Sequence, residues 1–198
     1  AESGAVAILN PMGEDQELLR TTLLPGLLRA AAYNLAREAA GVRIFETGTV
    51  FHAGGGADGR PRESARLALV VAGREPPTVH GAERPLDFYD LKGALDGAAR
   101  ALGAPLLWER GVDARFVPGT AARILTGRAV VGSAGTLLPA LADAVEVPRG
   151  ACAAELDLDS LPAAAARGAP VSAPARYPAV RRDLAIVVDK ATPYARVK

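Results

Sequence analysis

Nine residues, "ARLALVVAG" (Ala65 to Gly73), place the tightest limit on how this chain can fold. After Arg66 the run is apolar without a break, and such a run of strand length is buried on both faces. The sheet that holds it must therefore be covered on both sides. A second limit comes from "TTLLPGLLRAAAYNLAREA" (Thr21 to Ala39), whose spacing predicts a helix over Thr22 to Ala39. Leu24, Leu27, Leu28, Ala31 and Leu35 share one face of that helix, a core stripe. The opposite face carries Gly26, Ala30, Tyr33 and Arg37, small and aromatic rather than charged until Arg37. Pro25 suits the first helical turn, and Thr21 and Thr22 are available as caps. Small residues admit a second helix at close range, and tyrosine is enriched at interfaces. The pattern leaves two partners open: another layer of the same domain, or another chain.

The remaining segments are short. "AVAILN" (Ala5 to Asn10) and "VRIFETGTVF" (Val42 to Phe51) read as strands, and "HAGGGADGRPRE" as a turn. "DFYDLKGALDGAARALG" is an amphipathic helix with Phe88, Leu91, Leu95, Ala98 and Leu102 inward, capped by Asp87 and ended by Gly103. "LLWER", "ARILTG", "AVVGSAGTL" and "CAAELDLDSL" read as strands, and "LPALADAV" as a short helix. An Ala/Pro/Gly-rich stretch, residues 163–175, reads as a linker between a domain at 1–162 and a second beginning at 176. In that second part "RYPAVRRDLAIVVD" reads as turn then strand, and "TPYARVK" as a helix start at Thr192. Because the chain opens on a strand and stops after one helical turn, it is expected to begin and end inside a larger protein.

Composition excludes several classes. With 49% hydrophobic and 23% charged residues the chain can build a core, and its net charge of +1 creates no field for nucleic acid or membrane. Arginine supplies twenty of the 23 basic residues, a bias that matches GC-rich coding more than recognition. The longest uncharged run, Ala129 to Ala142, is broken by Gly132, Gly135 and Pro139 and is too short to span a bilayer. "AESGAV" has neither the basic nor the apolar region of a signal peptide. The single Cys152 excludes an intramolecular disulfide and fits a reducing cytoplasm. With only His52 and His80 beside it, no zinc site can be assembled from Cys and His alone.

Six segments occur in the same order in one known family: "NPMGEDQELLRTTLLPGLLRAAAYNLARE", "VRIFETGTVF", "DFYDLKGALDGAARALG", "VPGTAARILTGRAVVGSAGTLLPAL", "AAELDLDSL" and "RYPAVRRDLAIVVD". Over nearly its whole length the chain resembles the β subunit of bacterial phenylalanyl-tRNA synthetase. The resemblance implies an α+β fold, a mainly antiparallel sheet flanked by helices as in class II aminoacyl-tRNA synthetases. Residues 1–162 would form the non-catalytic core module, and residues 176–198 the incomplete start of a ferredoxin-like anticodon-binding domain. The resemblance further implies an (αβ)2 enzyme that attaches phenylalanine to tRNA(Phe) using ATP and magnesium. Its partners would be the catalytic α subunit and a second β subunit. Where that family usually has His-Pro-Gly-Arg-Ser-Ala, this chain has Val117-Pro118-Gly119-Thr120-Ala121-Ala122, so an imidazole and an arginine are lost.

Class II enzymes hold the α-phosphate of ATP with a strand arginine, commonly in an Arg-x-Glu arrangement. Such fixed cations are what adenylyl transfer needs. The nearest candidates here, Arg43 and Glu46, are three apart and point to opposite faces of a strand. No catalytic, cofactor or metal residue is therefore assigned, and the module is expected to serve assembly. Ala30, Tyr33 and Arg37 are the expected subunit contacts, with Leu24, Leu28 and Leu35 facing the sheet of the module itself. The alternative is a free-standing synthetase-like paralogue that binds an aminoacyl nucleotide itself.

Other residues have two readings each. Arg181 and Arg182 can contact tRNA phosphates, at most one of them facing a given backbone, or pair locally with Asp183, the reading preferred here. Glu155, Asp157 and Asp159 share one strand parity, as in a magnesium site, but also as on any strand with one solvated face, the reading preferred here. Cys152 and Trp108 are expected in the core, and His52 and His80 exposed. "GGG" (Gly54 to Gly56) lacks the following Lys-Ser/Thr of a phosphate loop.

Overall fold

The computed structural model describes residues 4–13, 17–55, 60–77, 79, 81–161, 180, 182–192, 196 and 197. They fall into two units, Ala1–Arg167 and Gly168–Lys198. The expected linker, 163–175, lies outside the described residues.

In the first unit the doubly buried strand sits where its sequence requires. Strands β3 (Gly41–Gly55) and β4 (Pro61–Glu75) form a long hairpin, and β4 also pairs with β9 (Cys152–Asp157). The sheet then continues through β8 (Ala129–Thr136) and β7 (Ala122–Thr126) to β6 (Leu107–Arg110). All these pairings are antiparallel, and β5 (Arg84–Pro85) adds to the end of β4. Ala68, Val70 and Ala72 face one layer and Leu69 and Val71 the other, and all five are buried. Helix α1 (Leu24–Leu35) covers the first face and α2 (Phe88–Ala101) the second. A short helix α3 (Pro139–Ala144) joins the α1 layer through Ala142. Beside the main sheet, β1 (Val6–Ala7) and β2 (Leu18–Leu19) form a separate two-stranded ladder. Among the described residues no helix is long and apolar enough to cross a membrane.

Helix α2 is built as its sequence dictates. Asp87 accepts from the backbone N–H of Tyr89 at 2.8 Å and of Asp90 at 3.3 Å. The Asp90 carboxylate returns the contact by accepting from Asp87 N at 2.9 Å. Gly103, at φ +69°, takes the left-handed turn beyond the last helical residue. Leu91, Leu95 and Ala99 form its buried stripe. Ala98 and Leu102, expected inward, are exposed, because the stripe runs strictly at four-residue spacing.

Four other expectations are corrected. Helix α1 ends at Leu35 rather than Ala39, and Glu38 at φ +68° turns the chain back. The hairpin continues through much of "HAGGGADGRPRE": His52 pairs with Arg62 and Phe51 with Glu63. A ribbon that projects past its sheet has no core face to impose alternation, so its polar residues read as a turn. His52, expected exposed, is half-buried within that ribbon. In the second unit residues 182–189 form no ladder with any described residue, and Leu184 and Val187 are exposed. The expected helix start at Thr192 leads into 193–195, outside the described residues.

Candidate subunit interface

The two faces of α1 differ in what meets them. Leu24, Leu27, Leu28 and Ala31 are buried against the sheet layer that includes Val42, Val50, Ala68 and Val70. The opposite face presents Pro25, Gly26, Arg29, Ala30, Tyr33 and Arg37, all exposed. Ala30, Tyr33 and Arg37 thus lie together, as their spacing requires. Tyr33 is 59% exposed. The Arg37 guanidinium lies 3.4 Å from its ring centroid and donates to the Tyr33 carbonyl at 3.3 Å. This stack holds a long cationic side chain flat, so an approaching surface meets an ordered aromatic and cation pair. A groove of about 830 Å³ runs from Arg29, Tyr33 and Arg37 to Val145 and Pro148 beyond α3.

The start of α1 is fastened from the sheet. Its N-cap, Leu23, has no side-chain cap. Its backbone N–H instead donates to Glu155 of β9 at 2.7 Å. The Thr22 hydroxyl lies 2.8 Å from both oxygens of that carboxylate and accepts from Leu24 N at 3.3 Å. A carboxylate at a helix N-terminus also meets the positive end of the macrodipole. Arg115 donates to Glu155 at 3.2 Å, to Ser133 Oγ at 2.9 Å and to Asp113 at 2.7 Å. The hydrogen bond from Arg115 holds the Asp113 carboxyl well below the usual carboxylate range, against the opposing effect of burial. The same bond raises the Arg115 pKa. Nothing in the sequence joins Asp113 and Arg115 to Glu155; only the fold does.

The three same-parity carboxylates go to separate partners. Asp157 lies 3.6 Å from Arg66 Nη2 and accepts from the N–H groups of Asp159 and Ser160. Asp159, past the strand end, accepts from Ala65 N at 2.8 Å. Among the described residues no group of three or more His, Cys, Asp or Glu side chains is placed to hold a metal.

On the α2 face a second cluster forms. Arg84 reaches Asp90 with two hydrogen bonds, at 2.6 and 2.7 Å, and Glu75 at 3.1 Å. Arg43 donates to Glu75 and to Asp90, the latter at 3.5 Å. The Arg84 hydrogen bonds hold the Asp90 carboxyl far below its ordinary value. Glu46 sits on the other face of β3, where Arg20 donates to it at 2.7 Å. Arg43 and Glu46 are therefore parted by the sheet, as their spacing requires. The α2-face cluster sets two guanidiniums against two carboxylates and has no net charge. On the α1 face one guanidinium meets two carboxylates, leaving an excess negative charge. Arg62 and Arg110 have no ion-pair partner among the described residues, but β4 and β6 are four strands apart. At about 4.8 Å per strand the two are roughly 19 Å from converging.

Elsewhere the turn at Val117–Thr120 survives its two departures from the family pattern. Gly119 takes φ +85°. The Thr120 hydroxyl donates to Val117 O at 2.9 Å and accepts from Thr136 N at 3.3 Å. Cys152 is buried, and burial raises its thiol pKa. Trp108 is half-buried, edge-on to Phe88 at 5.7 Å, with its indole N–H on Asp96 at 2.8 Å. Arg182 is exposed; Arg181 and His80 lie outside the described residues.

The chain and its fold have counterparts among known proteins. The family described as the phenylalanyl tRNA synthetase beta chain CLM domain matches residues 1–158. The phenylalanine–tRNA ligase β subunit of Moorella thermoacetica is 41% identical over 194 residues, 97% of this chain and 24% of that protein. That of Cutibacterium acnes is 34% identical over 206 residues, 93% of this chain and 25% of that protein. The chain thus spans about a quarter of the length of the curated relatives it matches. A solved pyrrolysyl-tRNA synthetase from Desulfitobacterium hafniense superposes with a TM-score of 0.55 at 19% identity, covering 79% of this chain and 51% of that one. At that identity the likeness is one of fold, the class II synthetase arrangement of an antiparallel sheet between helices. The chain belongs to the family of the phenylalanyl-tRNA synthetase β-chain CLM domain.

Proposed function

We propose that this chain is a non-catalytic module of a phenylalanine–tRNA ligase β subunit, and that its work is assembly with the catalytic α subunit. The observation that carries this reading is the charge balance of the two sheet faces. A nucleotide triphosphate needs surplus, convergent positive charge, and the clusters around Arg43 and Arg115 carry none. The free-standing paralogue that binds an aminoacyl nucleotide would need that surplus. In this reading the complete enzyme is a cytoplasmic (αβ)2 assembly that charges tRNA(Phe), with ATP and magnesium held outside this chain. The α subunit meets Ala30, Tyr33 and Arg37, where small residues permit close helix packing and Tyr33 supplies an aromatic anchor. Arg182 contributes to tRNA backbone contact only within the complete enzyme.

Co-purification with the α subunit tests this assignment. Tyr33→Glu and Ala30→Arg should each lower recovery of α at least about tenfold. Thermal midpoints should stay near wild type, because both side chains are exposed. Undiminished recovery with both variants removes α1 from the interface.

A further inference from the structure

We propose that the aromatic groove at the β6 end of the α2 face binds single-stranded RNA, with bases stacked on Tyr89 and Trp108 and a phosphate on Arg110. This rests on the reading that the complete enzyme charges tRNA. It adds a contact on the side of the sheet away from α1.

The groove holds about 430 Å³ and is lined by Phe88 and Tyr89 at the start of α2, by Trp108 and Arg110 of β6, and by Thr120 and Thr136. That volume lies in the range of small-ligand sites, roughly 300–1,000 Å³. Three rings meet here. Phe88 stands edge-on to both others, with centroids 6.1 Å from Tyr89 and 5.7 Å from Trp108. A ring that serves only the core is buried, yet Tyr89 is 76% exposed and Trp108 is half-buried. The indole is held in place. Its N–H donates to Asp96 at 2.8 Å, and Lys92 Nζ lies 5.1 Å from the ring centroid.

Charge decides what such rings take. Glu109 is paired with Arg123, Asp96 with Lys92, and Asp87 serves the first turn of α2. Arg110 is exposed and has no partner among the described residues. The unbalanced charge of the groove is therefore positive. Accessible rings beside an unpaired guanidinium suit a strand in which bases alternate with phosphates, since every base has a π-face. A proline-rich peptide, another ligand of aromatic grooves, brings no anion to Arg110 and finds the indole N–H taken by Asp96. A double helix keeps its bases stacked inside and offers the rings nothing. A mononucleotide engages one ring and one cation, so it stays weaker than about millimolar, while a strand engages both rings and Arg110 together.

Trp108 is the only tryptophan of the chain, so its fluorescence reports on the groove directly. Titrating the 198-residue chain at low salt with a single-stranded oligoadenylate of about ten nucleotides should quench it saturably, with a Kd below about 500 µM. A blunt RNA duplex of similar length should not. Tyr89→Ala should weaken binding at least about fivefold. Arg110→Ala should lower the slope of log affinity against log salt by about 0.7. Thr120→Arg, which restores the arginine of the family pattern beside the groove, should tighten binding and steepen that slope. Tyr89 and Arg110 are exposed, so thermal midpoints should stay near wild type. Recovery of the α subunit should also be unchanged in both variants, so a failure to bind RNA leaves the assembly assignment standing. No quench at about 1 mM oligonucleotide overturns the proposal. So does undiminished binding by both variants, or a duplex that binds as tightly as the single strand. A proline-rich peptide that quenches Trp108 where RNA does not would overturn it too, as would a loss of α recovery in either variant.

Discussion

Glu155 fastens the first turn of α1 to a strand 132 residues further along the chain. Its carboxylate serves the Leu23 N–H, the Thr22 hydroxyl and the Arg115 guanidinium, and its side chain is 10% exposed. Removing it leaves a helix N–H and a partly buried guanidinium short of an acceptor. Glu155→Ala should therefore cost about 2–4 kcal/mol in urea unfolding. Glu155→Gln keeps one acceptor for Leu23 N and should cost less than half as much. A loss below about 0.5 kcal/mol for the alanine variant would show that the contact contributes nothing of note. In the sequence Glu155 is legible only as one of three alternating acids. Its partners stand 40 residues away at Arg115 and 133 away at Thr22, and no local pattern encodes such pairings. The separation of Arg43 from Glu46 is legible, because alternation within one strand is a local property.

The strand β8 owes its close approach to neighbouring layers to two glycines. A Cβ on Gly135 would stand 2.6 Å from Phe116 Cγ, and one on Gly132 would stand 2.3 Å from the Glu155 carbonyl oxygen. Gly135→Ala should destabilise by about 1–3 kcal/mol, since the ring must move within a packed layer. Phe116→Leu in the same background should recover part of that loss, a coupling of at least about 0.5 kcal/mol in a double-mutant cycle. Strict additivity would mean that the two side chains do not contend for one space. At this scale the chain is most legible where a cap and a periodic stripe coincide, as in α2 from Asp87 to Gly103. The doubly buried strand 65–73 is equally clear, since both helical layers follow from it. Projecting pieces are not legible. The outer hairpin around His52 and Arg62 and the two-residue ladder of β1 with β2 bury too little apolar surface to leave a pattern.

Across the whole molecule the family resemblance and the fold agree on a synthetase-shaped sheet. What the chain does with that sheet is a matter of charge. Three of its arginines, Arg43, Arg84 and Arg115, are tied to carboxylates of the same chain, while Arg62 and Arg110 are not paired among the described residues. A ligand phosphate would have to displace those carboxylates, two of which, Asp90 and Asp113, ionise far more readily than ordinary aspartates. Displacement leaves partly buried acids without their partners, so the internal pairing resists an incoming anion. Calorimetric titration of the 198-residue chain with ATP, magnesium and phenylalanine measures this resistance directly. The account predicts no saturable heat up to about millimolar nucleotide, a binding free energy weaker than about 4 kcal/mol. Micromolar binding that disappears in Arg43→Ala or Arg115→Ala would contradict it.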